Sequence, residues 1–288
     1  MASKKMYPSQ NLGCCTVLLL VIILLMTISN YFTFNKIQSH LQNPSGSRLE
    51  GIHVYEDVSL RDLRKKSLIS AESERQALLN SSLGEDNKDF YSKVKMESFC
   101  AKKARIGETG DGGKFVCNPG NVKRDCTLLS LGLNNQIEYD VKIYDATGRQ
   151  CTSLGADKDP QSEATQKKYS EMGGQLFAGK IPDELTIQSM LEKSGRKDVE
   201  LLKIDIEGGE FNALEPLIKD YFVCQIFIEI HGKPAEHLKM MRIIAKYGFR
   251  LFSVEPNPYC VTCCEYSYIN EMCMAQFEAI PLAITVPQ

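Results

Sequence analysis

The stretch from Val199 to Glu210, Val-Glu-Leu-Leu-Lys-Ile-Asp-Ile-Glu-Gly-Gly-Glu, decides the fold of this chain. Val199 to Ile206 has the length and apolar content of a strand buried on both faces, and Gly208-Gly209 ends it. Glu210 to Lys219 then carries helical spacing, and a second apolar run follows, Val223 to Ile230 (VCQIFIEI). Two such strands joined by a helix-length crossover pair in parallel, with a right-handed connection and helices over both faces.

The same alternation extends in both directions. Upstream lie a strand from Cys126 to Leu133 (CTLLSLGL), an amphipathic segment from Gln136 to Tyr144, a strand from Cys151 to Asp157 and a weaker one from Gln175 to Ala178. Leu185 to Ser194 reads as a helix closed by Gly195. Downstream, Ala235 to Tyr247 reads as a helix, Phe249 to Val254 as a strand, and Ala279 to Val286 as a last strand or edge. About seven strands alternating with helices predict an α/β domain with a doubly wound, mostly parallel sheet.

The chain has 288 residues, 43% hydrophobic and 24% charged, with a mean hydropathy of −0.22, which excludes a mostly disordered or polytopic chain. With 34 basic against 36 acidic side chains there is no overall positive field to gather phosphate backbones, so no nucleic acid partner is expected. Leu12 to Phe34 (LGCCTVLLLVIILLMTISNYFTF) carries no charge and, at ~1.5 Å per residue, is long enough to cross ~30 Å of hydrocarbon. Lys4 and Lys5 precede it and Lys36 follows, which favours a cytoplasmic tail (residues 1–11), a transmembrane signal anchor (12–34) and a luminal remainder. A signal peptide cleaved near Thr27-Ile28-Ser29 is the alternative; both place the protein in the secretory pathway, in the Golgi or ER lumen or secreted.

Residues 35–95 read as a luminal stem with apolar residues too sparse for a core, although Val58 to Leu79 suits a solvated helix. Asn80-Ser81-Ser82 is an N-glycosylation acceptor. Residues 96–288 form the ordered domain and hold nine of the eleven cysteines. In an oxidising lumen most of the nine pair, leaving at least one thiol. Cys260, Cys263, Cys264 and Cys273 have partly zinc-like spacing, but a disulfide knot is expected there and no metal.

Ligands of such sheets bind beyond the carboxyl ends of the strands. After the first strand, Gly132 permits close backbone approach and Asn134 suits a helix cap. After the second come Asp157-Lys158-Asp159-Pro160, with Asp157 lying 25 residues past Gly132, the spacing of an acid that accepts hydrogen bonds from a ribose diol. Asp157 and Asp159 also form an Asp-x-Asp pair able to share a divalent metal. Asp205 and Glu207 alternate with Ile204 and Ile206 and so share a face, and Glu229 and His231 end the next strand. Burial raises carboxylate pKa values and lowers that of imidazole, which poises a general base near neutrality. Between Arg105 and Cys117, Asp111-Gly112 is a hairpin signal within a glycine-dense segment suited to a lid over the ligand.

These residues resemble a known family. Arg105-Ile106-Gly107, Gly110-Asp111-Gly112-Gly113, Val116-Cys117, Ser130-x-Gly132, Asp159-Pro160 and above all Leu201 to Glu210 (LLKIDIEGGE) are similar to the FkbM-type methyltransferases and their animal methyltransferase-like relatives. The strand Gln225 to His231 (QIFIEIH) is similar to the one that follows in that family. The resemblance covers roughly residues 98–288. It implies a class I S-adenosylmethionine (SAM) fold, Rossmann-like, with seven strands of which one edge strand is antiparallel, and methylation of oxygen. By that resemblance Gly132 and Asn134 line the methionine end of SAM and Asp157 or Asp159 holds the ribose; the glycine-dense segment with Asp111 and Gly112, read as a lid, then has this cofactor as its ligand. Asp205 with Glu207 faces the transfer site, and His231 or Glu229 accepts a proton. The usual Gly-x-Gly of the first loop reads Gly132-Leu133-Asn134 here. The stem, span and cysteine-rich C-terminal third resemble a nematode-like secretory subset.

The expected function is therefore a luminal SAM-dependent O-methyltransferase acting on a glycan, lipid or small-metabolite hydroxyl, membrane-bound through residues 12–34. Two alternatives stand beside it. One is a Golgi glycosyltransferase using Asp157-Lys158-Asp159 with manganese; the other is an inactive binding module that keeps the fold.

Overall fold

A computed structural model describes residues 58–109 and 112–287. The tail, the span, the first part of the stem and Asp111 lie outside the described residues. Among the described residues no helix is long and apolar enough to cross a membrane.

Helices α1 (Val58–Ser81) and α2 (Asn87–Lys93) lead into strands β1 (Ser98–Cys100), β2 (Lys103–Ile106) and β3 (Lys114–Cys117). The alternating part follows: β4 (Thr127–Leu131), α3 (Glu138–Ala146), β5 (Thr152–Asp157), α4 (Glu163–Glu171), β6 (Gln175–Ala178), α5 (Ile187–Ser194) and β7 (Asp198–Ile204). It continues through α6 (Glu210–Asp220), β8 (Phe222–His231), α7 (Pro234–Lys246), β9 (Phe249–Pro256), β10 (Cys263–Asn270) and β11 (Ala279–Pro281). Gly195 caps α5 at φ 70, the left-handed geometry glycine adopts without a Cβ penalty.

Seven strands form one sheet in the order β6-β5-β4-β7-β8-β10-β9. The strands from β6 to β8 pair in parallel, and β10 pairs antiparallel with both β8 and β9. The chain winds outward in opposite directions from β4, so the crevice above the β4 and β7 ends is the switch point at which such sheets bind ligands.

Two expectations change here. The antiparallel strand is interior: β10 is buried along its whole length, while the edge strand β6 is partly exposed. Its alternation of Cys264, Tyr266 and Tyr268 with Glu265 and Ser267 was hidden among the cysteines read as a knot. Conversely, Ala279 to Val286 adds no strand to this sheet; β11 pairs with β1 in a separate two-stranded ribbon. Residues beyond it bend away because Glu97 Oε1 accepts the amides of Thr285 and Val286, both at 2.7 Å.

The alternation of side chains divides two cores. One face of the sheet packs Leu129, Leu202, Ile204, Ile226 and Ile228 against α5, α6 and α7. The other packs Leu128, Leu201 and Phe227 under α3 and the β2–β3 hairpin. Part of the segment read as stem belongs to the first core: Leu78 and Phe90 are fully buried, with Tyr91 and Val94 nearly so. Asn87 Nδ2 donates to Gly232 O at 2.8 Å, tying α2 to the loop after β8.

Disulfides join Cys100–Cys117, Cys126–Cys151, Cys224–Cys273 and Cys260–Cys263, leaving Cys264 as a buried thiol. The first three lie at the amino ends of the parallel strands. Cys260–Cys263 lies at the other end, because Cys263 stands opposite His231 in the β8–β10 register.

Candidate functional site

At the end of β4 the backbone turns through Gly132 at φ 81, and a Cβ there would meet Asp205 O at 1.7 Å. Only glycine lets these two strand ends approach so closely. Asn134 and Asn135 follow, also with positive φ. Their amides are tied to the next loop: Asn134 N donates to Asp157 Oδ2 and Asn135 N to Gln161 Oε1, each at 2.7 Å. Lys203 Nζ donates to Gly132 O at 3.1 Å, so a buried cation braces the loop from beneath. Asp157 Oδ1 also accepts Asp159 N at 3.1 Å. Asp157 is buried at the crevice and Asp159 is exposed, and both Asp157 oxygens are engaged by backbone amides. Beside Asp157 an open groove of about 270 Å³ runs along β6, lined by Pro160, Gln161, Tyr169, Leu176 and Phe177.

Toward β8 the crevice becomes ionic. Lys114 from β3 is buried, hydrogen-bonds Glu265 Oε1 and lies 3.8 Å from Asp205 Oδ2. Glu229 stands directly opposite Glu265 in the register, and its Oε1 accepts Asn257 Nδ2 at 2.9 Å. Oxygens of Asp205, Glu229 and Glu265 all lie within 4.8 Å of one another. Three carboxylates at that distance invite a cation, and the Lys114 ammonium supplies it. Burial, then the neighbouring Glu265 and Asp205 charges, push Glu229 up to about 8, so it keeps a proton at neutrality. Burial also raises Asp205, but Lys114 and Lys203 outweigh it and hold that carboxyl below the usual range.

His231 closes the strand with its side chain 22% exposed. Its Nε2 lies 3.5 Å from Glu207 Oε2 and 4.0 Å from Glu229 Oε2, and its Nδ1 lies 3.8 Å from Glu210 Oε1. Glu207 reaches it differently from the way alternation predicts. β7 ends at Ile204, and Glu207 sits on the following turn at φ 55 with its side chain 86% exposed.

The expected Gly132, Asn134 and Asp157 thus gather around one loop pair, and Asp205, Glu207, Glu229 and His231 around the adjoining strand ends. Asp159 is joined to Asp157 through its amide and has an exposed side chain, and Gly112 lies in the hairpin whose β3 presents Lys114. Lys114, Lys203, Glu265 and Asn257 were not among the expected residues. Lys114 had a signal, as a lone cation heading the otherwise apolar Phe115-Val116-Cys117. Glu265 had none without β10.

Residues 82–251 match the model of the methyltransferase FkbM domain. No curated protein matches the chain. Solved structures with a similar fold include the precorrin-6y C5,15-methyltransferase from Geobacter metallireducens, at 10% identity, TM-score 0.39, over 53% of this chain and 84% of that one. The fibrillarin pre-rRNA processing protein of Methanococcus jannaschii aligns at 14% identity and TM-score 0.37, over 59% and 84%. A SAM-dependent methyltransferase from Aquifex aeolicus aligns at 12% and 0.34, over 52% and 85%.

Proposed function

The chain belongs to the FkbM methyltransferase family, whose cofactor is S-adenosylmethionine, and from that premise we propose that it methylates a hydroxyl oxygen of an acceptor in the secretory lumen. The residues present fit the cofactor: a glycine forced by close backbone approach lies beside a strand-end carboxylate. Asp157 would hold the ribose diol, since each of its oxygens keeps a lone pair after accepting one backbone amide. The Gly132–Asn135 loop would carry the methionine end, and the groove along β6 would receive the base. When bound, SAM supplies a methyl group on a positively charged sulfur.

The chain's own contribution is positioning and proton removal. The observation that carries oxygen as the target is the convergence of Asp205, Glu229 and His231 at neighbouring strand ends, with His231 partly exposed. Protonated Glu229 donates a hydrogen bond, ionised Asp205 accepts one, and His231 takes the acceptor's proton. A glycan, lipid or small-metabolite hydroxyl meets these requirements.

The luminal setting is supported by the four disulfides, which persist in oxidising compartments. It is supported too by the apolar run of residues 12–34 and by the exposed Asn80 of the glycosylation acceptor. The glycosyltransferase reading is less favoured, because the family model that matches residues 82–251 is that of a methyltransferase.

Thermal melting of the full-length protein tests the reading. A ligand at 100 times its dissociation constant adds about 2.7 kcal/mol of stability. SAM and its demethylated product should both raise the melting temperature, and Asp157→Ala should abolish the shift, measured against the lower unliganded melt of a variant in which the Asn134 and Asp159 amides have lost their acceptor. A shift with UDP-sugar and manganese alone would replace methyl transfer by glycosyl transfer, and no shift with either would favour a binding module.

A further inference from the structure

The proposed base has a partner. We propose that Glu210 is a positioning residue that fixes the orientation and tautomer of His231 and balances its charge after proton acceptance; this rests on the reading of His231 as the base.

Glu210 opens α6 and is fully buried. One oxygen, Oε1, accepts the Ile206 amide at 2.7 Å, which holds the Asp205–Gly209 turn and accounts for half of the carboxylate. The other, Oε2, is buried without a hydrogen-bond partner, and so is Nδ1 of His231. A buried unpaired carboxylate oxygen and a buried unpaired ring nitrogen are each costly. Here they belong to neighbouring side chains: Nδ1 lies 3.8 Å from Oε1, which keeps a second lone pair beside the Ile206 amide, and a small movement of the ring would bring Nδ1 within hydrogen-bond reach of this carboxylate. Such a bond places the neutral proton on Nδ1 and leaves Nε2, the nitrogen facing the open side and Glu207, free to accept.

Other titratable groups face the same ring: Glu207 from the turn before α6, Glu229 (protonated at neutrality) from its own strand, Asp205 from the end of β7 and, more distantly, the neutral His237 from α7. Glu210 differs from these carboxylates in being wholly buried and on the Nδ1 side. The transfer balances: the acceptor O–H proton passes to Nε2, its oxygen bonds the methyl carbon, and the electron pair of the broken carbon–sulfur bond stays on sulfur. The imidazolium that results faces Glu210 and loses its proton to water after product leaves.

The test is a pH titration of the full-length protein labelled with ¹⁵N in its imidazole rings, with the His231 signals assigned by their loss in His231→Asn. The wild type should show the neutral proton on Nδ1. Glu210→Gln should lower the proton affinity of His231 by about tenfold or more, as loss of an adjacent buried charge does, while Glu207→Gln at the exposed site shifts it far less. An unchanged titration in a folded Glu210→Gln protein overturns the proposal. Should that variant not fold, the wild-type tautomer decides: a proton on Nε2 overturns it as well. Retained methyl transfer in His231→Asn would instead remove the base reading and leave the pairing itself to the titration.

Discussion

At Gly132 the backbone conformation and a neighbour's position impose the same residue. Its φ of 81 suits few residues besides glycine, and a methyl group would overlap Asp205 O at 1.7 Å. For an L-residue the left-handed conformation alone costs about 1–2 kcal/mol. Gly132→Ala should therefore lower the melting temperature and remove the SAM-induced shift, since the loop and the strand end must part; an alanine variant that still binds SAM would show that the close approach is dispensable. Glu229 gives a prediction with a sign. Its carboxyl keeps a proton up to about pH 8 in the folded protein but loses it near the ordinary 4.5 when unfolded. Between those values the folded state binds more protons, so this group makes stability fall as pH rises. Glu229→Gln should flatten that part of the curve and gain stability at pH 8 relative to pH 5. Urea denaturation at the two pH values checks it, and parallel curves for variant and wild type would place the burden elsewhere.

Among the elements, α2 shows how a short, polar-looking segment joins a core. Its sequence, Asn-Lys-Asp-Phe-Tyr-Ser-Lys, has one aromatic pair among charges, and the Asp86 side chain caps it by accepting the Lys88 and Asp89 amides. Phe90 is fully buried, and Tyr91 meets His237 Nε2 at 3.2 Å, so the helix is anchored by packing and by a buried polar contact. Phe90→Ala should cost about 3–5 kcal/mol, the usual penalty for truncating a buried phenylalanine, measured by chemical denaturation. A cost below 1 kcal/mol would return this segment to a stem, and a chain begun at residue 96 would then fold unaided. The parallel strands were legible because a strand buried on both faces is a continuous apolar run, as in VELLKI and VCQIFIEI. β10 and α2 were not, since each buries polar side chains whose partners lie far along the chain: Glu265 with Lys114, Tyr91 with His237. The site divides likewise. Asp157, Asp205 and His231 follow apolar runs and announce themselves, while Glu265 and Asn257 are brought in by the strand that the cysteines concealed.

Across the whole domain, three of the four disulfides and the chemistry occupy opposite ends of the sheet, and the short Cys260–Cys263 link alone lies beside His231. Cys126 and Cys151 immediately precede β4 and β5, Cys224 lies near the start of β8, and Cys273 follows β10, which runs the other way. Cys117 exchanges two hydrogen bonds with the Gln225 side chain, which places the Cys100–Cys117 bridge at that end too. Gly132, Asp157, Asp205 and His231 all lie past the other ends of the same strands. A cross-link acts chiefly on the unfolded chain, by an amount set by loop length, and it leaves distant native geometry alone. Removing Cys126–Cys151, with a sequence separation of 25, by the Cys126→Ser and Cys151→Ser pair should therefore cost about 3–4 kcal/mol of stability. The dissociation constant for SAM should stay at the wild-type value when measured well below the melting temperature. Calorimetric titration beside denaturation separates the two quantities. If SAM affinity falls together with stability, the amino-end bridge helps shape the crevice, and the division of the sheet into a stabilising end and a reactive end is wrong.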